Sequence, residues 1–128
     1  MDNHLTMHEL SFGSIDTEII DLIIKCSNIE LTYVDENDVI RYYTDIPNLI
    51  FSRNPKLIGT SVVNCHSEGK REIVHQLLDD FRHGRKDIQE QVEVHDNRKI
   101  LVKYIAIRDG KNRYRGVLET VQDITKYV

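Results

Sequence analysis

A thiol and an imidazole stand side by side in the stretch "VVNCHSEGK", where Cys65 precedes His66. A cysteine activated by a histidine is a common enzymatic nucleophile, and a neutral histidine in an apolar cavity can ligate haem iron. Adjacent residues rarely bring sulfur and imidazole within reach of each other, and a catalytic pair needs a third group to orient the base. We therefore expect no enzymatic activity, and His66 stays open as a haem- or redox-responsive site, with Cys65 beside it.

The other polar clusters do not form a metal-ligand set. His75 follows Val74, which puts it off the apolar stripe of a helix, and four histidines lie in polar surroundings (His4, His8, His83 and His95). The segment "DEND" at 35–38 begins like a calcium loop, but neither the glycine at the sixth position nor the glutamate at the twelfth follows. We predict a polar turn there, and no metal site apart from the haem alternative at His66.

Composition indicates one globular domain. The chain has 128 residues, is 40% hydrophobic and 30% charged, and carries a net charge of -4. Residues 1–30 hold six acids and one base, so the rest is close to neutral, and no basic surface typical of nucleic-acid binding is indicated. The sequence shows no secretory signal and no apolar run long enough to cross a membrane. With only two cysteines, the simplest location is the cytoplasm.

The first 28 residues are predicted to form a flexible segment, 1–13, and an amphipathic helix, 14–28. Ser14 is a suitable N-cap, and the helix would end near Asn28. Its isoleucines repeat at helical spacing. This face is predicted to cover the sheet or to form the interface of a homodimer, through Ile15, Ile19, Ile20 and Ile23.

Residues 29–128 are predicted to form the main domain. Leu31–Val34 and Val39–Tyr43 read as a hairpin, and a second helix follows Ser67, carries Val74, Leu77, Leu78 and Phe81 on one face, and ends at Gly84. Three strands then follow, at Ile88–Val94, Lys99–Ile107 and Tyr114–Ile124, with Asp109-Gly110 in a hairpin turn. The predicted fold class is α+β, a five-stranded antiparallel sheet with a long helix and short helices on one face.

This order of elements resembles a PAS domain. Three stretches carry the resemblance, which covers about residues 29–126: "LTYVDENDVIRYYT" as the opening hairpin, "IGTSVVNCH" before the long helix, and "IAIRDGKNRYRGVLETVQDIT" as the closing hairpin. The "N-C-H" turn and the lead "FGSIDTEIIDLI" are similar to the C-terminal PAS module of proteins with a domain of unknown function and, often, a hemerythrin-like domain. Ser67-Glu68 replaces the two prolines usual in that turn, and the chain has no tryptophan.

The resemblance implies a sensory fold whose members bind haem, flavins, organic acids or nothing. Flavin-binding members carry their reactive cysteine in an N-C-R-F-L-Q context; Asn64-Cys65 and Gln122 resemble parts of that pattern, but "HSEG" replaces the rest, which argues against flavin.

The favoured hypothesis is a non-enzymatic sensory or interaction module, which binds a small ligand or a signalling protein between helix and sheet and signals through dimer packing. The predicted pocket wall is Phe51, Val63, His66, Val74, Leu78, Tyr104 and Leu118. A haem- or redox-responsive sensor using His66 and a ligand-free structural dimerisation module are the alternatives.

Overall fold

The computed structural model describes residues 6–128, with Cys65 described by its backbone, and this part of the chain contains seven strands and two α-helices. In chain order they are β1 Met7–Glu9, β2 Ser14–Asp16, α1 Thr17–Cys26, β3 Glu30–Asp35, β4 Ile40–Tyr43, α2 Glu68–Arg82, β5 Ile88–His95, β6 Arg98–Arg108 and β7 Tyr114–Asp123. Short 3-10 turns lie at Pro55–Leu57, Val62–Cys65 and Thr125–Tyr127. No helix in this range is long and apolar enough to cross a membrane.

The main sheet has five antiparallel strands in the order β4-β3-β7-β6-β5. The first and last of these strands along the chain, β3 and β7, are neighbours in the middle of the sheet. Their pairing sets Tyr33 opposite Leu118 and Val34 opposite Val117. The predicted α+β class and the five-stranded antiparallel sheet are confirmed. Every predicted strand boundary lies within one residue of the observed one.

The two faces of the sheet differ in cover. The inner face carries Ile100 and Val102 of β6 with Val117 and Val121 of β7, all at most 4% exposed. Phe81 and Leu78 of α2 pack over one part of it, and Ile50 and Phe51 over another. The outer face carries the alternate residues of the same strands, and those of β6 are only half-buried (Leu101, Lys103, Ile105 and Ile107).

The helix α2 follows its sequence pattern closely. Ser67 lies at the N-cap, although its side chain makes no capping hydrogen bond, and His83 is the C-cap. Gly84 follows with φ +73°, the left-handed conformation that glycine adopts without a steric penalty. The predicted apolar stripe faces the sheet, with Leu78 and Phe81 fully buried.

The amino-terminal region differs from the prediction. α1 begins at Thr17, and its N-cap is Asp16, whose carboxylate accepts the Ile19 N–H at 2.9 Å. Ser14 and Ile15 instead belong to β2, which forms a small hairpin with β1 across Gly13. The helix prediction from Ser14 was therefore wrong by three residues, because a second good capping residue lies just beyond the first. Of the segment predicted to be flexible, residues 1–5 lie outside the described range.

The predicted cover of the outer face is not provided by α1 within one chain. No residue of α1 is buried, and Ile19, Leu22 and Ile23 are 44%, 49% and 49% exposed. Within the chain the helix packs mainly against its own neighbour β2. The apolar face of α1 and the outer face of the sheet therefore remain open to a further partner.

Gly116 joins β3 and β7 at a close approach of two backbones. Its φ is +124°, and a Cβ at this position would lie 2.1 Å from the carbonyl oxygen of Val34. The residue is buried in β7, opposite Asp35. Only glycine fits at this position. The glycine of the "RGVLE" segment is therefore required by backbone packing and not by a role in binding or catalysis.

Candidate ligand-binding cleft

A continuous cleft lies between the inner face of the sheet, α2 and the segment 51–66. It has two halves, each large enough for a small molecule. The loop half has a volume of about 380 Å³ and is bounded by Phe51, Arg53 and Leu57. The helix half has a volume of about 370 Å³ and is bounded by Val74, Leu77 and Leu78. Six residues line both halves: Val62, His66, Lys70, Glu93, Tyr104 and Glu119.

The wall of the loop half is held by a buried carboxylate. Glu30, the first residue of β3, is 8% exposed and accepts the backbone N–H groups of Ile50 at 2.8 Å and Phe51 at 3.3 Å. These bonds give an irregular segment a defined position, since its backbone donors have a buried partner. The Phe51 ring then meets the imidazole of His95 edge-on, with 5.4 Å between ring centroids.

An ion pair lies on the floor of the cleft. The Arg53 guanidinium donates to Glu119 at 2.9 Å, and the two side chains are 21% and 16% exposed. Arg53 also lies over the Phe51 ring, 5.9 Å from its centroid. The pair is therefore partly shielded from water, where charge-assisted hydrogen bonds are stronger than at an open surface.

Tyr104 places a neutral phenol beside this ion pair. It lies on β6 directly opposite Glu119 on β7. Burial raises the pKa of Tyr104 well above its usual value, and the negative charge of Glu119 raises it further. The hydroxyl is therefore protonated at neutral pH and can donate or accept a hydrogen bond.

His66 presents a neutral imidazole to the cleft. It follows the 3-10 turn Val62–Cys65 and lines both halves. Burial lowers the pKa of His66; the Glu119 carboxylate opposes this shift, and the positive charges of Lys70 and Arg53 add to it. Because the shift is downward from the ordinary value near 6.5, the neutral form dominates at pH 7.

Five of the seven predicted wall residues line the cleft: Phe51, His66, Val74, Leu78 and Tyr104. Val63 instead lies in the core, 8% exposed, and borders neither half. Leu118 lies on the outer face, because it alternates along β7 with the inward-facing Val117 and Glu119. These two assignments were therefore wrong as to position.

Two further residues were singled out in the sequence, Gln122 and Cys65. Gln122 alternates with the buried Val121 and pairs with Leu101, so it lies away from the cleft, which removes one element of the flavin resemblance. The side chain of Cys65 lies outside the described part of the structure. Within that part, no three His, Cys, Asp or Glu side chains are grouped as a metal site.

The charged residues of the cleft were not predicted from the sequence. Glu119 carries a detectable signal, since it stands in phase with Val117 and Val121 on a strand whose inward residues are otherwise apolar. Lys70 and Glu93 resemble ordinary surface residues of a helix and a strand. Arg53 lies in an irregular segment, where periodicity assigns no direction to a side chain.

Comparison with known proteins identifies the family to which this architecture belongs. The model of the PAS domain family matches residues 20–125. A solved C-terminal domain from Streptococcus mutans is 29% identical, with a TM-score of 0.90, over 98% of this chain and 97% of that one. No curated protein sequence matched the chain.

Two more distant structures share the fold. A sensory box sensor histidine kinase from Vibrio cholerae is 14% identical, with a TM-score of 0.56, over 84% of this chain and 90% of that one. The PAS domain of the histidine kinase ThkA is 15% identical, with a TM-score of 0.54, over 73% of this chain and 99% of that one.

Proposed function

Because the chain belongs to the PAS domain family, we propose that it is a non-enzymatic sensory module that binds a small ligand in the cleft between α2 and the sheet. PAS domains are typically sensory or signalling modules, and the fold alone does not specify a ligand. The observation that carries the proposal is the cleft itself, in which apolar walls surround a few partly buried polar groups. Arg53, Glu119, Tyr104 and His66 are such groups, and this combination is typical of small-molecule sites.

Native mass spectrometry of freshly purified protein, compared with its denatured mass, tests this proposal. We expect extra mass that is lost on denaturation. Val74→Phe, which fills the helix half, should abolish the extra mass, whereas His75→Phe, on an exposed neighbouring position of the same helix, should retain it. A bare polypeptide mass for the wild-type protein would contradict the proposal and favour a ligand-free structural module.

Signal output is proposed to pass through a homodimer formed by α1. The exposed Ile19, Leu22 and Ile23, with the half-buried Ile20, support this interface, while Ile15 lies in β2 outside the helix. Ligand binding would shift the population of packing arrangements between α1 and the sheet. The double variant Ile19→Asp, Ile23→Asp should be monomeric by light scattering. Ile58→Asp, which changes an apolar residue exposed elsewhere, should dimerise like the wild type; dimers in the double variant would exclude α1.

A haem-responsive function is the second candidate, favoured by the neutral imidazole of His66. His66 would hold the haem iron, since haem iron binds neutral imidazole and His66 borders both halves of the cleft. Titration with haemin should then give a Soret band that shifts in His66→Ala but not in His75→Ala. A protein that takes up no haemin would exclude this function and leave the small-ligand proposal intact.

The larger context is also a proposal. The turn Asn64-Cys65-His66 supports a hemerythrin-linked protein as the source of this module. The similar domain from Streptococcus mutans is C-terminal in its own protein, which supports a C-terminal position. The length of the protein detected in its native cells by an antibody against this domain tests that origin. A product no longer than 128 residues would exclude it.

A further inference from the structure

The carboxylates of the cleft already have protein partners. Glu119 accepts from Arg53 at 2.9 Å. Glu93 accepts from Gln91 at 2.8 Å and contacts the His95 imidazole at 3.1 Å. The acidic groups that line the cleft are therefore engaged with donors from the protein itself, and a cationic ligand would have to displace one of them.

Two nitrogen-bearing side chains of the cleft have no hydrogen-bond or ion-pair partner among the described residues. Among the described side chains, none forms a hydrogen bond or ion pair with the imidazole of His66 or the ammonium group of Lys70. Both residues line both halves of the cleft. Arg53 donates to Glu119 and to the Ser52 carbonyl oxygen, which leaves it with further N–H groups.

These three donors lie near one another. The charges of Lys70 and Arg53 both act on His66, from α2 and from the segment on the other side of the cleft. Lys70 also lies in the first turn of α2, near the positive end of the helix dipole, and Ser67 supplies no side-chain cap there. An anion at this position would find hydrogen-bond donors that have no protein partner. It would also lie near the positive end of the dipole of α2.

We propose that the ligand of the cleft is a small organic monoanion, a carboxylate on an apolar body. Its head group binds among His66, Lys70 and Arg53, and its body lies against Val74 and Leu77 in the helix half. This inference rests on the proposed function. A monoanion is favoured over a phosphate dianion because Glu93 and Glu119 already balance the charges of Lys70 and Arg53.

Three probes with one body and different head groups test the charge of the ligand: phenylacetate, phenylacetamide and 2-phenylethylammonium. Their dissociation constants would be measured by NMR titration, following backbone resonances around the cleft. We expect phenylacetate to bind about tenfold more tightly than the other two, a difference of about 1.4 kcal/mol, because only its carboxylate forms a hydrogen bond in which donor and acceptor are both charged.

A matched pair of variants tests the donor. Lys70→Met should weaken phenylacetate binding by about tenfold without changing phenylacetamide binding. Lys103→Met, on the outer face of the same sheet, should leave both constants unchanged. Equal affinity for the three probes, or preference for the cation, would overturn the anion assignment while leaving ligand binding in the cleft intact. If none of the probes moves a resonance while the native mass spectrum of the wild-type protein still carries extra mass, the inference is overturned and the small-ligand function stands. A bare polypeptide mass together with unchanged resonances would overturn both.

Discussion

The two faces of the five-stranded sheet are built from the same strands, but the rest of the chain covers one face much more than the other. On the inner face, Ile100 and Val102 are 0% and 1% exposed under the segment around Phe51, and Val117 is 4% exposed under α2. On the outer face, their neighbours Leu101 and Ile105 stay half-buried, and Val92 and Val94 of β5 are 56% and 70% exposed. The inner face therefore forms a well-packed core with the cleft beside it. The outer face is not covered by another element of the described chain.

The proposed function gives each face of the sheet a different role. Residues that alternate along β6 and β7 point to opposite sides, so a change in strand position reaches both faces at once. In the proposed function, a ligand would act on the inner face through Tyr104 and Glu119, and a partner chain would respond to the change through the outer face. Exposed apolar surface of this kind is typical of interaction sites in soluble domains.

The first two expected effects are the largest, and one of them comes from a change in the pairing of β3 with β7, which both faces share. Gly116→Ala would force a Cβ against the Val34 carbonyl oxygen, and it would also strain a left-handed backbone. We expect the free energy of unfolding to fall by about 2–5 kcal/mol. Chemical denaturation measures this change. Gly110→Ala, where a Cβ meets no atom within 4 Å, should shift it by less than about 1 kcal/mol, and similar losses would contradict the role of Gly116.

A second pair of variants compares the two faces directly. Phe81→Ala on the inner face should cost about 3–5 kcal/mol, because it leaves a cavity in a fully buried core. Ile105→Ala on the outer face should cost about 1–2 kcal/mol, because its side chain is only half removed from water. If the loss in the free energy of unfolding for Ile105→Ala rises to that for Phe81→Ala at high protein concentration, the outer face is buried against a second chain. Equal losses at all concentrations would contradict the contrast between the faces.

The accuracy of the sequence-based prediction depends on how strong the periodic pattern is in each region. Strand alternation and the apolar stripe of α2 carry strong periodic signals, so the sheet and the inner core were predicted correctly. The hairpin of β1 and β2 was missed because three-residue strands carry almost no periodicity. Leu118 was misplaced because the alternation of β7 was not carried through from Val117 and Val121.

The cleft was predicted only in part, for a physical reason. Its apolar wall follows from periodicity, but its polar groups depend on tertiary contacts between distant parts of the chain. Arg53 reaches Glu119 across 66 residues of sequence, and Glu30 reaches the backbone of Ile50 across 20. No local pattern encodes such pairs.

A third prediction concerns the buried carboxylate that fixes the cleft wall. Glu30→Ala leaves two backbone donors at Ile50 and Phe51 without their buried partner, so we expect a loss of about 1–3 kcal/mol in the free energy of unfolding. Chemical denaturation measures the loss. Glu36→Ala removes an exposed ion pair with Arg115 and should cost less than about 1 kcal/mol. Equal losses would show that Glu30 is an ordinary surface acid.

The smallest expected effect is a pH dependence that arises at His66, on the inner face. Burial lowers the pKa of His66 in the folded chain, so the unfolded chain binds more protons near pH 6. Stability from this group is therefore complete above the unfolded value of about 6.5 and decreases as the pH falls through the folded value. Charged groups face His66 from three elements: Glu119 on β7, Lys70 on α2, and Arg53 in the segment before it.

Replacing His66 should remove this dependence. In His66→Gln the acid-side loss of stability should be smaller than in the wild type, whereas His75→Gln, on the exposed side of α2, should retain the wild-type profile. Denaturation curves between pH 5 and pH 8, about the range in which histidine titrates, measure the difference. A carboxylate bound beside His66 should raise its pKa again, so phenylacetate should bind more tightly as the pH falls below about 6.5. Identical profiles for the wild type and His66→Gln would show that His66 is solvated rather than held in the cleft.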